Sequence, residues 1–479
     1  MDIHYIDLII FIVYLVAMLG IGFYFMKQNK SKEDYYVGGR GMSAGHIGLS
    51  VVATDVGGGF SIGLGGLGFV MGLSGSWMLF TGLLGAWISA VVLIPKIYPI
   101  AKKHQFLTFP QSLAFRYNAK VALVAGFISL VGYIGFTSSQ ILAGAKLASA
   151  TFPSISIFNA ILIMGVIAIV YTAVGGIKAV IYTDTIQWII LMAGLIGIGI
   201  PIGYIHIGGW EAISSTLPSS FMSLTNITFV QFFNWIITIV PVWFVGMSLY
   251  QRIYACKDEK TAKKAWRIAG LFEWPIMAFM GIALGLFARV GYEQGMFTEI
   301  GYAPGVVMDS ELGLPLFLRS ILPVGLMGLM LSAYFSAIMS TADSCLMAAS
   351  GNFSTDILGF FKGKQKYDTI KHSQIITLFI GAVAVLIATH MQNVLELMLY
   401  SYAFMVSGLL VPVLGMLLLK KPSSLAAMAA MIGGGTTTLV LILTQVKLPY
   451  ELDANFFGIV VSALAFAVFQ SVGTKRVTA

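Results

Sequence analysis

Apolar residues run along this chain in long blocks separated by short polar breaks, and the blocks have the length of membrane-crossing helices. A bilayer's hydrocarbon core takes roughly 20 mostly apolar helical residues, and about thirteen blocks meet that criterion. They cover 5–26, 43–73, 76–99, 121–150, 156–174, 179–204, 229–253, 268–289, 316–350, 374–390, 393–419, 424–445 and 454–472. Blocks 43–73 and 316–350 are longer than one crossing needs, which predicts a break or a long tilt within them. The longest polar stretches, 205–228 and 290–315, are too short for a separate folded domain and are expected as small caps. The pattern predicts an all-α polytopic membrane protein built as a single transmembrane domain.

Composition agrees. Only 10% of the 479 residues are charged and 58% are hydrophobic, against ~25% charged in ordinary soluble domains. So few charges cannot cover a water-soluble surface, which excludes most soluble enzymes, nucleic-acid binders and disordered scaffolds. The net charge of +8 is a matter of placement. Lys27, Lys30, Lys32 and Arg40 follow the first block, whereas Asp2 and Asp7 precede or enter it. The chain start is therefore not a cleavable signal, and the positive-inside rule puts the N-terminus outside. Alternating from there leaves all but four of the 28 lysines and arginines (Lys146, Arg289, Arg319 and Lys447) in inside segments, with the C-terminus in the cytoplasm. The positive charge orients the chain in the cell membrane, and no nucleic-acid partner is needed to explain it. The two cysteines make no disulfide framework.

Glycine and proline mark two interruptions. Ala53-Thr-Asp-Val-Gly-Gly-Gly-Phe60 cuts the second block, and Pro241, Trp243 and Gly246 cut the seventh. Three consecutive glycines disfavour a continuous helix, and proline removes a backbone donor. Freed carbonyls at membrane depth are tolerated where they line a cavity or bind something. Each broken block opens a run of five, 43–204 and 229–419, which points to an inverted-repeat transporter with a midplane site. The other use for such glycines is close helix packing.

Ionisable residues inside the blocks are few: Asp55, Asp184, Glu273, Asp343 and Glu396, with Lys146 and His46 less deep. Such groups are costly in lipid and are functional candidates. In the ninth block Ser332, Ser336, Ser340 and Ser344 recur every four residues on one helix face, flanked by Thr341 and Asp343. Hydroxyls facing the freed carbonyls near Ala53 and Val56 would make an oxygen cage suited to a hard monovalent cation such as Na⁺.

These residues carry a resemblance. Asp34-Tyr-Tyr-Val-Gly-Gly-Arg40, Ala53 to Gly58, Tyr171-Thr-Ala-Val-Gly-Gly176, Tyr182-Thr-Asp-Thr-Ile-Gln187, Tyr250-Gln-Arg252 and Ser336-Ala-Ile-Met-Ser-Thr-Ala-Asp-Ser344 occur in order. Together they resemble the sodium/solute symporters over nearly the whole chain, and look most similar to the proline branch. The resemblance implies a LeuT-type 5+5 inverted repeat with one extra leading helix (5–26) and two trailing ones (424–472). It implies Na⁺-driven import by alternating access, with Na⁺ and a small solute as the partners of a chain for which a monomer suffices. The main Na⁺ site would fall on the Ala53, Val56 and Ala337 carbonyls and the Ser340 and Thr341 hydroxyls, supported by Asp55. A second Na⁺ site, found in some members, would map to Asp184, Ser340 and Ser344, with Asp343 where the pattern has a serine. Sugar-transporting members have a polar side chain where this chain has Phe60, which argues against a sugar. Tyr400-Ser-Tyr-Ala-Phe404 and Pro412 are similar to the proline branch. Val56 to Phe60 is similar to the choline branch, but Asp55 and Gly246 stand where its tryptophans are expected. Candidate solute-contacting residues are Phe60, Trp77, Phe136, Gln140, Trp243 and Tyr402, each of which could equally be packing. An amino acid such as proline, or a similar zwitterion, is the leading solute; choline, betaine or an organic acid is the alternative.

Other classes fit less well. An ion channel needs no paired broken helices in opposed repeats. An intramembrane enzyme would need a catalytic set such as His-Glu-x-x-His, and the six histidines are scattered.

Overall fold

The computed structural model describes residues 4–27, 30–152, 154–362 and 370–475. Among them the secondary structure is helical, and the only β pairing is an isolated bridge between Met42 and Cys256. The helices used below are α1 (Tyr5–Met26), α2 (Ala44–Met71), α3 (Trp77–Val92), α4 (Ala119–Thr151), α5 (Ile157–Gly194), α6 (Phe229–Val245) and α7 (Met247–Ala255). They continue with α8 (Glu259–Leu271), α9 (Ala278–Glu293), α10 (Ser310–Ile321), α11 (Leu326–Gly351), α12 (Ile370–Ala388), α13 (Val394–Leu418), α14 (Ser424–Thr444) and α15 (Ala454–Lys475).

Many starts are set by local chemistry. Ser43, Asn118, Ser156, Thr228, Asp258 and Ser423 each accept the amide three residues on, capping α2, α4, α5, α6, α8 and α14. Such a cap satisfies one of the orphan N–H groups of a helix start, at typically ~1 kcal/mol.

Among the described residues, ten helical stretches are long and apolar enough to cross a membrane, or eleven if the bent pair α6–α7 is one crossing. This count does not by itself confirm the expected thirteen crossings. The apolar run 157–173 is shorter than a full crossing, because α5 bends at Gly176 (φ 67°) into two parts. The run 316–350 is also divided. Pro323 and Gly325 (φ 88°) separate α10 from α11, so the serine-bearing helix begins at Leu326. Towards the other side, the expected crossing 268–289 extends back to Glu259, through an irregular segment Phe272–Met277 that joins α8 to α9.

Both expected interruptions are present. In α2 the break is at Gly57, with φ 27° and ψ −167°, a conformation open essentially to glycine alone. In the second the bend of 43° sits at Gly246, between α6 and α7. Pro241 stays within α6. The carbonyl it deprives of a donor, that of Ile237, lies 3.4 Å from the Asn455 side-chain amide of α15, so the proline is accommodated without a break there.

The centre of the bundle is α11, almost wholly buried against α1, α2, α4 and α5. Asp7 of α1 accepts the Gly325 and Gly328 amides at 2.7 Å each, an anion at the positive start of α11. Beyond its break α2 runs along α9 so closely that a Cβ on Gly285 would fall 2.0 Å from the Gly65 carbonyl oxygen. Part of the glycine content thus does serve packing.

Candidate functional site

The Gly57 break and α11 meet face to face. Ser340 Oγ lies 3.2 Å from the Ala53 carbonyl oxygen and 2.9 Å from that of Ala337. Thr341 Oγ1 lies 2.9 Å from the Ala53 carbonyl and 3.4 Å from Ala337. Four of the five residues expected for the main Na⁺ site are thereby brought together. The fifth, Val56, lies on α2 beside the break, but its side chain and that of Phe60 lie outside the described residues. A Cβ at Gly57 would sit 2.0 Å from Thr341 Oγ1, so only glycine lets α11 approach this closely. The donor set is neutral carbonyl and hydroxyl oxygen, all buried, which is the chemistry a hard monovalent cation takes. Its Ser and Thr hydroxyls now point at the Ala53 and Ala337 carbonyls, so a cation entering among them would replace those hydrogen bonds.

One helical turn further along α11 lies a second buried polar cluster. Asp184 Oδ2 accepts from Ser50 Oγ at 2.5 Å and from Arg252 Nη2 at 3.3 Å. Arg252 also donates to Ser344 Oγ at 2.6 Å, to Ser50 Oγ at 3.0 Å and to the Ser248 carbonyl at 3.2 Å. Thr54 Oγ1 lies 3.0 Å from Ser344 Oγ, which ties this cluster to the broken helix. Asp343 is fully buried and its Oδ1 accepts from Thr172 Oγ1 at 2.5 Å. Asp184 Oδ1 and Asp343 Oδ2 have no hydrogen-bond partner. Of these two carboxylates, Arg252 pairs with Asp184, and among the described residues no cation pairs with Asp343. Arg252 was read with an inside loop, but it is fully buried. Charge counting along the chain cannot see this, because a basic residue near the end of a block reads as a topology signal. The only warning was its place in the Tyr250-Gln-Arg252 motif. Thr54 likewise lies within the Ala53 to Gly58 motif, and Ser50 gave no warning at all.

The serine stripe divides its work. Ser340 and Ser344 face the broken helix, whereas Ser336 donates to Tyr14 of α1 at 2.7 Å and Ser332 to the Gly328 carbonyl of its own helix.

The aromatic candidates do not form one group. Tyr402 of α13 points its hydroxyl at Asp55 Oδ1, 3.4 Å away, and packs edge-on against Phe136 of α4 at 4.9 Å. Gln140, a turn beyond Phe136, accepts the Gly58 amide at 2.9 Å and so satisfies a donor freed at the break. Tyr402 thus reaches Asp55 itself, Phe136 packs on Tyr402, and Gln140 meets the same break at Gly58. Trp243 instead packs against Gly85 of α3 and edge-on to Trp266 of α8. Trp77 donates its indole N–H to the Leu224 carbonyl of the 205–228 segment and stacks on Trp274 at 6.3 Å. Glu273, singled out as ionisable but given no role, is fully buried on the Phe272–Met277 segment, which packs against α2 and makes Glu273 an electrostatic neighbour of Asp55.

Beside the second half of α2 a cavity of about 460 Å³ is lined by Asp309, Glu311, Glu396 and Asp453 among others. Lys146 pairs with Asp309 at 2.6 Å and with Glu311 at 2.7 Å, and Glu311 also takes the Val394 and Leu395 amides at the start of α13.

Comparison with known proteins places this arrangement. The model of the sodium:solute symporter family matches residues 35–434. The osmoregulated proline transporter OpuE of Bacillus subtilis is 27% identical over 406 residues, covering 82% of this chain and 79% of its own. The sodium/proline symporter of Escherichia coli is 27% identical over 410 residues, covering 83% and 80%. Among solved structures, a Na⁺-coupled sialic acid symporter in a substrate-bound outward-open state superposes with a TM-score of 0.77 at 21% identity, covering 98% of each chain. Mhp1, a nucleobase-cation-symport-1 family transporter in a closed conformation, superposes with a TM-score of 0.59 at 13% identity, covering 94% and 95%. The broken helix facing a hydroxyl-bearing one is therefore found in a chain that belongs to the sodium:solute symporter family.

Proposed function

We propose that this protein is a Na⁺-coupled symporter that imports a small amino acid, proline first among the candidates, across the cell membrane. The carrying observation is the convergence of Ala53, Ala337, Ser340 and Thr341 at the Gly57 break. The identity to proline transporters over about four-fifths of the chain supports the solute. We read the chain as one transporter domain with a LeuT-type arrangement of two five-helix repeats, 43–204 and 229–419, one leading helix and two trailing helices, thirteen crossings in all when broken helices are counted whole. The N-terminus lies outside and the C-terminus in the cytoplasm on this reading, so the acid-lined cavity beside Glu311 opens outward, where its field concentrates cations.

Na⁺ entering from outside is held by the Ala53, Val56 and Ala337 carbonyls and the Ser340 and Thr341 hydroxyls, with Asp55 adding negative charge nearby. It ties the first half of α2 to α11 and stabilises the state that binds solute. The solute then docks beside the break among Phe60, Phe136, Gln140 and Tyr402, with Trp77 and Trp243 in supporting positions. Closure around it lets the bundle rock inward. Asp343 favours a second Na⁺ beside Asp184 and Ser344. Arg252 balances one of the two carboxylates, and the other is left buried without a counter-charge.

Proteoliposome uptake of labelled L-proline tests the reading. Accumulation is expected with an inward Na⁺ gradient and not with K⁺. Ser340→Ala combined with Thr341→Ala should raise the Na⁺ needed for half-maximal uptake by about tenfold or more, as expected for lost contacts to a charged group. Unchanged Na⁺ dependence would overturn the main site. A wild-type Hill coefficient of one for Na⁺, unaltered in Asp343→Ser and Asp184→Asn, would remove the second site.

A further inference from the structure

Asp55 and Glu273 are buried neighbours in the heart of the bundle, 4% and 0% exposed, on α2 and on the Phe272–Met277 segment that packs against it. Glu273 leaves the irregular Phe272–Met277 segment, where Trp274 adopts an extended conformation (φ −138°, ψ 126°). Its carboxylate enters the space that a side chain on α3 would take: a Cβ at Gly82 would fall 1.8 Å from Oε2. From the other side Tyr402 reaches Asp55 Oδ1 at 3.4 Å. The remaining three oxygens, Asp55 Oδ2 and both of Glu273, have no hydrogen-bond donor. Among the described residues, no lysine or arginine pairs with either carboxyl. Two neighbouring carboxyl groups, buried and short of donors, call for a cation that brings N–H groups with it. Na⁺ at the main site supplies charge but no hydrogen-bond donor. Asp55 is reached by the solute candidate Tyr402, which packs on Phe136, and the candidate Gln140 meets the break three residues on, at Gly58.

We propose that the Asp55–Glu273 pair receives the protonated nitrogen of the transported solute, and thereby selects ammonium groups that carry N–H over quaternary ones. The inference rests on the symport reading above and narrows its solute class. A primary or secondary ammonium offers two or three donors to three waiting oxygens. A trimethylated nitrogen has the charge but no donor and leaves all three oxygens unmet. An α-hydroxy acid offers one O–H and no positive charge.

The test is a thermal-shift titration of the purified full-length protein in Na⁺ and in K⁺ with three matched panels: protein amino acids, their fully N-methylated betaines, and the corresponding α-hydroxy acids. An amino acid should stabilise the protein in Na⁺ alone, with its betaine and hydroxy acid at least about a hundredfold weaker, the loss of two charge-assisted donors. Glu273→Gln should weaken the amino-acid response about tenfold or more, while Na⁺ by itself still stabilises the variant as it does the wild type, which reports an intact fold and main site. A betaine or hydroxy acid that binds as well as its amino acid overturns the proposal on wild-type protein alone, and so does full amino-acid affinity in Glu273→Gln. In either case Na⁺-dependent binding of some solute leaves the symport reading standing. No Na⁺-dependent response to any solute class overturns both.

Discussion

Gly57 shows how much can rest on one residue. Its φ of 27° lies outside the range of ordinary side chains, and Thr341 fills the place of its Cβ. Gly57→Ala must either straighten α2, removing the Ala53 carbonyl from the site, or push α11 away. Either route adds about 1–3 kcal/mol of backbone strain. The variant should lose its Na⁺-induced rise in melting temperature, whereas Gly45→Ala on the same helix, with nothing within 4 Å of its Cβ, should keep it. Arg252 is the second such residue. It is fully buried and shared among Asp184, Ser50, Ser344 and the Ser248 carbonyl. Arg252→Gln leaves a buried carboxylate without its counter-charge, at a cost of about 3–5 kcal/mol. Adding Asp184→Asn should recover part of that stability in thermal denaturation. A purely additive loss in the double variant would mean that the pair is not coupled.

At the scale of the element, the broken helices are held open by groups from their neighbours. The α6–α7 break at Gly246 is served from both sides. Tyr133 of α4 accepts the Ser248 amide at 3.1 Å, capping α7, and Tyr250 donates to the Phe244 carbonyl at 2.9 Å, near the end of α6. Helix ends inside a membrane need such partners because no water is present to replace them. Tyr133→Phe strands the Ser248 amide and should lower stability by about 1–3 kcal/mol, read as a fall in melting temperature in detergent. An unchanged melting temperature would show that another group takes the amide. The break in α2 uses the same device, with the Gln140 side chain accepting the Gly58 amide. Sequence could foresee that these helices break, because consecutive glycines and an intramembrane proline are poor helix formers. For the second it named Pro241, Trp243 and Gly246 together, and of these the bend falls at Gly246. Whether a proline bends a helix depends on who takes the carbonyl it frees, and Asn455, more than 200 residues away, is invisible to local reading.

For the whole molecule the consequence of Na⁺ coupling is electrical. Each Na⁺ that crosses with a zwitterionic solute moves one charge, worth ~2.3 kcal/mol per 100 mV. An inside-negative potential of about 100 mV, imposed on proteoliposomes by K⁺ and valinomycin, should raise steady-state L-proline accumulation by roughly fiftyfold per Na⁺ carried. No response to potential would mean that the charge is returned by another ion and that simple symport is wrong. The scaffold for this movement is α11, buried on nearly all sides, with Asp7 fixing α1 to its start and the Ser340 to Ser344 face turned to the broken helix.

The sequence by itself determined that this chain lives in lipid, that it is helical, and that the glycine run 57–59 interrupts a helix carrying Asp55. Each of these follows from local composition and backbone preference. It also marked Ser340 and Thr341, because a four-residue spacing places hydroxyls on one face whatever lies opposite. The tertiary structure alone decided what lies opposite. It set the Ala53 carbonyl against those hydroxyls, drew Arg252 inward to Asp184, parted Trp77 and Trp243 from Tyr402, and brought Glu273 against Asp55. These pairings join residues from 68 to 288 positions apart. They arise because packing a bundle around α11 must find a partner for every buried polar group, and that matching is a property of the assembled helices rather than of any one of them.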